Sequence, residues 1–283
     1  MSETTVWTTP GYATVRELGT GAFGRVVQAQ CRTTGRPVAV KYLHEHSLRA
    51  EFRAEARLLS ALRSSHVVRL VDYVESAHGT AIVMDLAPGR TLKSILADDG
   101  PLTPEAALTV FKGSLRGLAD AHRAHVVHRD YKPDNVLVST AGFPTLVDFG
   151  IAVRAGTETS SIGTPAYMPP EQWQGLPASA AGDLYAATAV FFECLTGRRP
   201  FTARSVLQLA AQHLHAPVPA DLVPAPLGDL VLRGLAKHVG DRPVTAANFE
   251  AELEFVARRF YGPDWERRGR AYFAEGHQAV LSA

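Results

Sequence analysis

The strongest constraint on the fold is a change of hydrophobic period along the chain. Residues 12–42 alternate apolar and polar positions and are broken by glycines, which predicts three antiparallel strands. A helical repeat follows over 47–62, and two further strand-like runs come after it. In the rest of the chain up to about residue 256, apolar residues recur mostly at helical spacing. The sequence therefore predicts an α+β protein with a small β-rich unit at about 12–86 and a larger, mostly helical unit at about 87–256.

The larger unit carries signals for a long helix and for a pair of short strands. Thr103 stands directly before Pro104, which is the pattern of a helix N-cap followed by proline in the first turn. The helix is predicted to run through 106–124. Two short apolar segments, 135–139 and 144–150, are separated by a turn and predict a β-hairpin.

The two ends of the chain lie outside this pattern. Residues 1–11 are predicted to be an N-terminal tail, and residues 257–283 a C-terminal extension that fits neither unit clearly. The extension is rich in aromatic residues, which favours packing on the larger unit or on a partner; a free tail is the alternative. Its aromatic residues are Phe260, Tyr261, Trp265, Tyr272 and Phe273.

Charge, hydropathy and cysteine content exclude several classes of protein. The chain has 29 basic and 28 acidic residues, so no charge excess indicates a nucleic-acid partner. Its longest apolar run, 184–195, contains Glu193 and is too short to cross a bilayer. Cys31 and Cys194 lack CxxC spacing, which indicates unpaired thiols. We therefore expect a cytoplasmic protein without a membrane span.

A glycine-rich segment near the N-terminus indicates a phosphate-binding loop. The stretch "LGTGAFGRV" (18–26) contains G-x-G-x-x-G, whose bare backbone amides can approach phosphates. Strands rather than a helix are predicted to follow, which departs from the dinucleotide-binding pattern, and a plain β-turn is the alternative. The segment "VAVK" (38–41) is predicted to lie on the third strand, and its lysine is a candidate partner for the same phosphates. Only five of the 29 basic residues are lysines, so Lys41 and Lys132 are notable as compact point charges.

A second pair of motifs supplies acidic and amide side chains. The segment "HRDYKPDN" (128–135) matches H-R-D-x-x-x-x-N, with Asp130 and Asn135 five positions apart. The segment "DFG" begins thirteen positions later, at Asp148. Phosphoryl transfer needs a carboxylate that accepts a hydroxyl proton and oxygen ligands for Mg²⁺. These three side chains are of the required types.

In this order and spacing, the motifs resemble those of the bacterial eukaryotic-like serine/threonine protein kinases over about residues 12–256. The segment "GTPAYMPPE" (163–171) matches the end of that family's activation segment, and Arg242 is expected to pair with Glu171. The resemblance implies a two-lobed protein kinase fold, with a small β-rich N-lobe containing one main helix and a larger helical C-lobe. It also implies transfer of the γ-phosphoryl group of Mg-ATP to Ser and Thr hydroxyls of proteins.

The resemblance also implies a role for each catalytic side chain. Asp130 is expected to orient and deprotonate the substrate hydroxyl, and Lys132 to stabilise charge on the transferring group. Lys41 is expected to hold the phosphates, and Glu55 to position Lys41. The lysine two positions after the catalytic Asp favours Ser and Thr over Tyr as acceptors. Tyr131 stands where the family commonly has Leu.

Metal and nucleotide contacts follow from the same resemblance. Asn135 and Asp148 are expected to bind Mg²⁺, with Mn²⁺ as an alternative. Met84 is expected to precede the hinge, with Leu86 in the adenine slot. The expected nucleotide contacts are Leu18, Gly19, Thr20, Gly21, Ala22, Phe23, Gly24, Arg25, Val26, Ala39, Lys41, Met84, Asp85 and Ala87.

Regulation is expected to involve the loop after the DFG segment. In the resembled family, an arginine at the position of Arg129 marks enzymes whose activation loop is ordered by phosphorylation. Autophosphorylation in trans, through a transient kinase–kinase dimer, is the expected route, whereas Thr164 is expected to contact Asp130 and Lys132. The candidate acceptors are Thr157, Thr159, Ser160 and Ser161.

Two other functions compete with this interpretation. A pseudokinase would bind nucleotide without turnover, but Lys41, Asp130 and Asp148 are all intact. A small-molecule phosphotransferase of related fold is the second competitor. The segment 163–171 and Arg242 argue instead for a segment that binds peptide substrates.

Overall fold

The computed structural model describes residues 7–21, 24–43, 53, 56–57, 59–60, 62–76, 79–149 and 165–281. Within these ranges, no helix is both long and apolar enough to cross a membrane. The described part divides into a β-rich N-lobe and a mostly helical C-lobe, which confirms the predicted fold class.

The N-lobe is built on a five-stranded antiparallel sheet in the order β1-β2-β3-β5-β4. Its strands are β1 (Tyr12–Gly21), β2 (Gly24–Cys31), β3 (Pro37–Leu43), β4 (Leu70–Ser76) and β5 (Gly79–Asp85). The three strands predicted over 12–42 are confirmed. Strand β4 begins later than its apolar run suggests, because Val67 and Val68 instead pair with Leu146 of the C-lobe.

The two faces of this sheet have different surroundings because side chains alternate along β3. Val40 and Tyr42 belong to an outer apolar cluster, against which Trp7 packs with its ring edge-on to Tyr42 at 5.4 Å. Lys41 points to the opposite face, toward the C-lobe. A helix is predicted over 47–62. In this segment the structure describes residues 53, 56–57 and 59–60 up to residue 60, and all of them are helical.

The C-lobe contains a small antiparallel sheet and most of the helices. The sheet has strands β6 (Arg90–Thr91), β7 (Val136–Val138) and β8 (Pro144–Leu146). The helices are α1 (Leu92–Asp99), α2 (Pro104–Arg123), α3 (Pro170–Trp173), α4 (Ala180–Thr196), α5 (Val206–His215), α6 (Gly228–Gly234), α7 (Ala246–Tyr261) and α8 (Trp265–Leu281). The predicted N-cap is confirmed, since the Thr103 hydroxyl accepts a hydrogen bond from the Ala106 amide at 3.3 Å.

Aromatic packing joins the long helices of the C-lobe into one core. Phe111 of α2 stacks on Phe191 of α4 at 4.5 Å and meets Phe249 of α7 edge-on at 5.2 Å. All three rings are almost completely buried. Offset and edge-on aromatic contacts of this kind stabilise beyond simple area burial. Helices α2 and α4 therefore form a rigid base for the loop that precedes β7.

The C-terminal extension is helical and packs on α2. Trp265 at the start of α8 is buried, and the Lys112 ammonium of α2 lies 5.1 Å from its ring. The same ammonium donates to Glu254 at 2.7 Å and to Glu266 at 2.6 Å. The prediction that the extension packs on the larger unit is therefore confirmed. The predicted boundary between 256 and 257 falls inside α7 and stays a prediction.

Candidate active site

The loop between α2 and β7 brings two polar side chains to one carboxylate, that of Asp130. Lys132 Nζ donates to Asp130 Oδ2 at 2.6 Å. Asn135 Nδ2 donates to the Asp130 carbonyl oxygen at 2.8 Å and lies 3.3 Å from Asp130 Oδ2. Both Asp130 and Lys132 are largely withdrawn from solvent. The sequence motif thus folds into a compact, preorganised charge cluster.

The backbone of this loop is held by a buried aspartate in the first turn of α4. Arg129 has a φ of +67°, a left-handed conformation that a non-glycine residue adopts only when its surroundings enforce it. Asp183 accepts hydrogen bonds from the His128 amide at 2.8 Å and from the Arg129 amide at 2.9 Å. His122 Nε2 lies 2.8 Å from the same carboxylate. Sequence reasoning missed these contacts, since more than 50 residues separate Asp183 from its partners.

The three histidines before Asp130 lie in three different environments. His128 is fully buried, and its ring packs on Phe149 at 4.4 Å. Burial lowers the pKa of His128, which favours the neutral ring, and neither of its ring nitrogens has a hydrogen-bond partner among the described residues. His125 is exposed, whereas His122 contacts Asp183. The three rings therefore do not converge on one point.

The aspartate of the DFG segment meets the lysine of β3. Asp148 has a φ of +59°, and its carboxylate accepts a hydrogen bond from Lys41 Nζ. The preceding amide, that of Val147, donates to the Asn135 carbonyl at 3.0 Å and ties this segment to the loop between α2 and β7. Glu55, the expected partner of Lys41, lies outside the described residues. The Lys41–Asp148 contact joins the two lobes across the cleft.

A cavity of about 620 Å³ lies between the lobes, within the usual range for small-molecule sites. Lys41, Asn135 and Asp148 line it together with the side chains of β1, β2 and the hinge. The expected nucleotide contacts that line it are Leu18, Gly19, Val26, Ala39, Lys41, Met84, Asp85 and Ala87. Asp130 does not line the cavity. It contacts Asn135, which does line it. The cavity is therefore polar at the end that approaches the loop between α2 and β7.

The tip of the β1–β2 hairpin contributes less to this cavity than the sequence motif suggests. Thr20 donates to Glu17 at 2.6 Å, and the Arg25 guanidinium lies 5.1 Å from the Tyr42 ring, on the outer side of the sheet. Gly24 has a φ of +150°, and an added Cβ would lie 1.8 Å from the Tyr42 carbonyl oxygen. Thr20, Gly21, Gly24 and Arg25 are not among the lining residues. Ala22 and Phe23 lie outside the described residues.

Several lining residues were missed by sequence reasoning. Val68 and Arg16 contribute from the N-lobe, whereas Leu137 and Val147 contribute from β7 and the segment after β8. Leu137 and Val147 stand close to Asn135 and Asp148 in the sequence, so their proximity to the motifs was an available signal. Arg16 and Val68 carry no comparable signal. The β1–β2 register places Arg16, and the hydrogen bond from the Val68 amide to the Leu146 carbonyl places Val68.

Helix α3, which contains Glu171, is anchored by a buried ion pair. Arg242 donates to both carboxylate oxygens of Glu171, at 2.8 and 2.7 Å, which confirms the pairing expected from the sequence. This bidentate geometry is the strongest form of an arginine–carboxylate contact. The candidate phosphorylation sites in residues 157–161, and Thr164, lie outside the described residues.

A five-stranded lobe, a helical lobe and a cavity between them define the protein kinase fold. A family model described as the protein kinase domain matches residues 12–243. The chain belongs to the protein kinase family.

The most informative relatives are bacterial. The chain is 35% identical to serine/threonine-protein kinase PknL of Mycobacterium tuberculosis, an alignment that covers 95% of this chain and 71% of PknL. It is 34% identical to PrkC of Bacillus subtilis, over 86% of this chain and 40% of that protein. A crystal structure of Rad53 1-466 in complex with AMP-PNP has a TM-score of 0.74 and 26% identity, and covers 85% of this chain and 64% of that one. The protein is an ATP-dependent serine/threonine protein kinase that acts on protein substrates.

Proposed function

We propose that the cavity between the lobes binds Mg-ATP and that Asp130 receives the proton of the substrate hydroxyl. The convergence of Lys132 and Asn135 on the Asp130 carboxylate carries this proposal. A carboxylate held by two donors is fixed in orientation before substrate arrives, so little reorganisation is needed during transfer. The adjoining ammonium of Lys132 lies where it can stabilise negative charge on the transferring group.

The available oxygen atoms fit a hard divalent cation. Asn135 uses its amide nitrogen on Asp130, which leaves its amide oxygen as a ligand. Asp148 contacts Lys41 through Oδ1 and retains a second carboxylate oxygen. Among the described residues no three His, Cys, Asp or Glu side chains cluster as a metal cage. One carboxylate and one amide oxygen, completed by nucleotide phosphates, are what Mg²⁺ prefers. When bound, Mg²⁺ would supply neutralisation of the phosphate charge.

Lys41 is proposed to exchange partners when nucleotide binds. Its ammonium contacts Asp148 and would turn to the phosphates of a bound nucleotide, which would free the Asp148 carboxylate for the cation. Lys41 is nearly buried, so its charge is little screened and contributes strongly to phosphate binding. Glu55 is proposed to hold Lys41 in this second position.

We further propose activation by autophosphorylation of the loop before Thr164, in a transient dimer of two kinase chains. Arg129 immediately precedes Asp130 and is the proposed partner of the added phosphate. A cytoplasmic site of action is proposed because Cys31 and Cys194 are both free thiols and because ATP is the phosphoryl donor.

The decisive experiment compares three variants with the wild type in peptide phosphorylation with labelled ATP and Mg²⁺. Asp130→Asn, Lys41→Ala and Asp148→Asn should each lower kcat/KM by about 10²-fold or more while the circular dichroism spectrum is unchanged. Asp221→Asn, on the exposed surface of the C-lobe, is the matched control and should keep full activity. Calorimetry should show a loss of ATP affinity for Lys41→Ala. Wild-type turnover in any of the three would reject the assignment.

The regulatory proposal needs a separate experiment. Replacement of Thr157, Thr159, Ser160 and Ser161 by Ala should lower peptide phosphorylation to the level of phosphatase-treated wild type. If the quadruple variant matches untreated wild type, and phosphatase treatment changes nothing, the loop is not the switch.

A further inference from the structure

Tyr131, which lies between Asp130 and Lys132 in the chain, makes a buried hydrogen bond that the proposed function does not use. Its side chain is directed into the C-lobe core. Its hydroxyl donates to Ser114 Oγ of α2 at 2.6 Å. Tyr131 is 3% exposed and Ser114 is 0% exposed, so water does not compete for this bond.

Each hydroxyl is the partner that the other one requires. The face of α2 around Ser114 is apolar, with Phe111, Leu115 and Leu118 buried beside it. A tyrosine hydroxyl that entered this environment without an acceptor would lose its hydrogen bonds to water without replacement. A leucine at position 131, the common residue of the resembled family, would leave Ser114 facing an apolar side chain. Tyr131 and Ser114 therefore form a matched pair within this chain.

The position of this pair relative to Asp130 gives it a geometric role. Asp183 of α4 holds the loop on one side, through the amides of His128 and Arg129. The Tyr131–Ser114 bond holds the loop on the other side, to α2. Asp130 lies between these two attachments, directly after Arg129, whose positive φ makes the loop conformation unfavourable without external support.

Ring contacts extend the attachment toward the DFG segment. The Tyr131 ring meets the His128 ring edge-on at 5.6 Å, and His128 packs on Phe149 at 4.4 Å. Phe149 directly follows Asp148. A shift of Tyr131 would therefore be transmitted to the carboxylates of both Asp130 and Asp148.

We propose that Tyr131 is a positioning residue, whose hydrogen bond to Ser114 fixes the Asp130 carboxylate for phosphoryl transfer. The proposal rests on the function of Asp130 given above. Loss of the bond would let the loop relax by a fraction of an ångström, and small misplacements of reacting groups lower the rate of transfer without changing the nucleotide contacts.

The test measures single-turnover phosphoryl transfer, because steady-state rates of kinases can be set by product release. Tyr131→Phe and Ser114→Ala should each lower the transfer rate by about three- to tenfold, with the KM values for ATP and peptide within about twofold of wild type. The double variant should be no slower than the slower single variant, because the bond can be lost only once. If Ser114→Ala does not fold, Tyr131→Phe alone decides the question.

Thr109→Val is the matched control on the same helix. The Thr109 hydroxyl is also buried, but its hydrogen bond goes to the Glu105 carbonyl of its own helix, at 2.8 Å. This variant should lose thermal stability and keep the wild-type transfer rate. Wild-type transfer by Tyr131→Phe would overturn the proposal and leave the pair with a structural role only.

Asp130→Asn, measured in parallel, separates the two claims. An active Asp130→Asn variant rejects the proposed function and this inference with it. An inactive Asp130→Asn beside an unchanged Tyr131→Phe rejects the inference alone.

Discussion

Arg242 and Glu171 form a bidentate ion pair that is almost completely withdrawn from solvent, with the arginine side chain 0% and the glutamate side chain 7% exposed. Arg242 also donates to the carbonyl oxygens of Ala181 and Ala236, and its guanidinium lies 4.9 Å from the Tyr185 ring. One side chain thereby joins α3, α4 and the loop after α6. The end of the activation segment is consequently fixed to the C-lobe core.

Removal of the Arg242 side chain should destabilise the protein. Arg242→Ala leaves Glu171 buried without its countercharge, and such a loss costs about 3–5 kcal/mol in the free energy of unfolding. Urea denaturation followed by fluorescence measures it. Arg233→Ala, which breaks the exposed pair with Glu252, is the control and should cost about 1 kcal/mol or less. Equal effects of the two variants would contradict a special role for the buried pair.

The C-terminal helix should contribute strongly to stability. Trp265, the first residue of α8, is 1% exposed, and Trp265→Ala should lower the free energy of unfolding by about 3–5 kcal/mol. Phe260→Ala removes an aromatic side chain that is 54% exposed nearby, and should change stability by no more than about 0.5 kcal/mol. A stable Trp265→Ala variant would show that α8 is dispensable for the fold.

The contact between α8 and α2 depends on a glycine. A Cβ at Gly269 would lie 2.2 Å from the Glu105 carbonyl oxygen, which belongs to a helix backbone and cannot move freely. Gly269→Ala should therefore destabilise the protein by about 1–3 kcal/mol, although alanine favours a helix by about 1 kcal/mol over glycine. Gly240→Ala, where the added Cβ meets open space, is the control for thermal denaturation.

His213 should make stability depend on pH below neutrality. It is fully buried, with Nδ1 2.8 Å from the Tyr185 hydroxyl, and burial, together with the charge of Lys237, lowers the pKa of His213 from 6.5 to about 4. The unfolded chain therefore binds the proton first as pH falls. The free energy of unfolding should decrease between about pH 6.5 and pH 4, by up to about 1.4 kcal/mol per unit.

Urea titrations at several pH values test this dependence. His213→Asn keeps an acceptor for Tyr185 but does not titrate, so its slope between pH 6.5 and pH 4 should be smaller than that of wild type. Part of the slope should remain, because burial also lowers the pKa of His128. His215→Asn, on the exposed side of the same helix, should retain the wild-type slope. Identical slopes for His213→Asn and wild type would reject the assignment.

Asp183 should control the rate through the loop backbone. Asparagine at this position has one acceptor oxygen, so it cannot serve both the His128 and Arg129 amides together with His122. Asp183→Asn should lower kcat by about tenfold or more and the free energy of unfolding by about 1–3 kcal/mol. Asp241→Asn, on the exposed surface, serves as the control in both assays. Full activity of Asp183→Asn would show that Arg129 keeps its conformation without this support.

The order of strands and helices along the chain could be predicted largely from local sequence patterns. Alternation over 12–42 predicted three strands, and Thr103 with Pro104 predicted the start of α2, because both signals depend only on neighbouring residues. The motif residues Asp130 and Asn135 were also found from spacing, since both belong to one short loop. Helix α8 was missed, because its amphipathic pattern has meaning only once α2 supplies a surface for it.

The sequence by itself determined the fold class, the protein kinase family and the chemical types of the candidate site residues, because these are encoded in short, ordered motifs. Only the tertiary structure decided which side chains meet. Lys41 and Asp148, Tyr131 and Ser114, and Asp183 and His122 are paired across 107, 17 and 61 positions respectively. Such pairs form because helix packing and sheet register bring distant residues within hydrogen-bond distance, and burial then requires each polar group to find a partner.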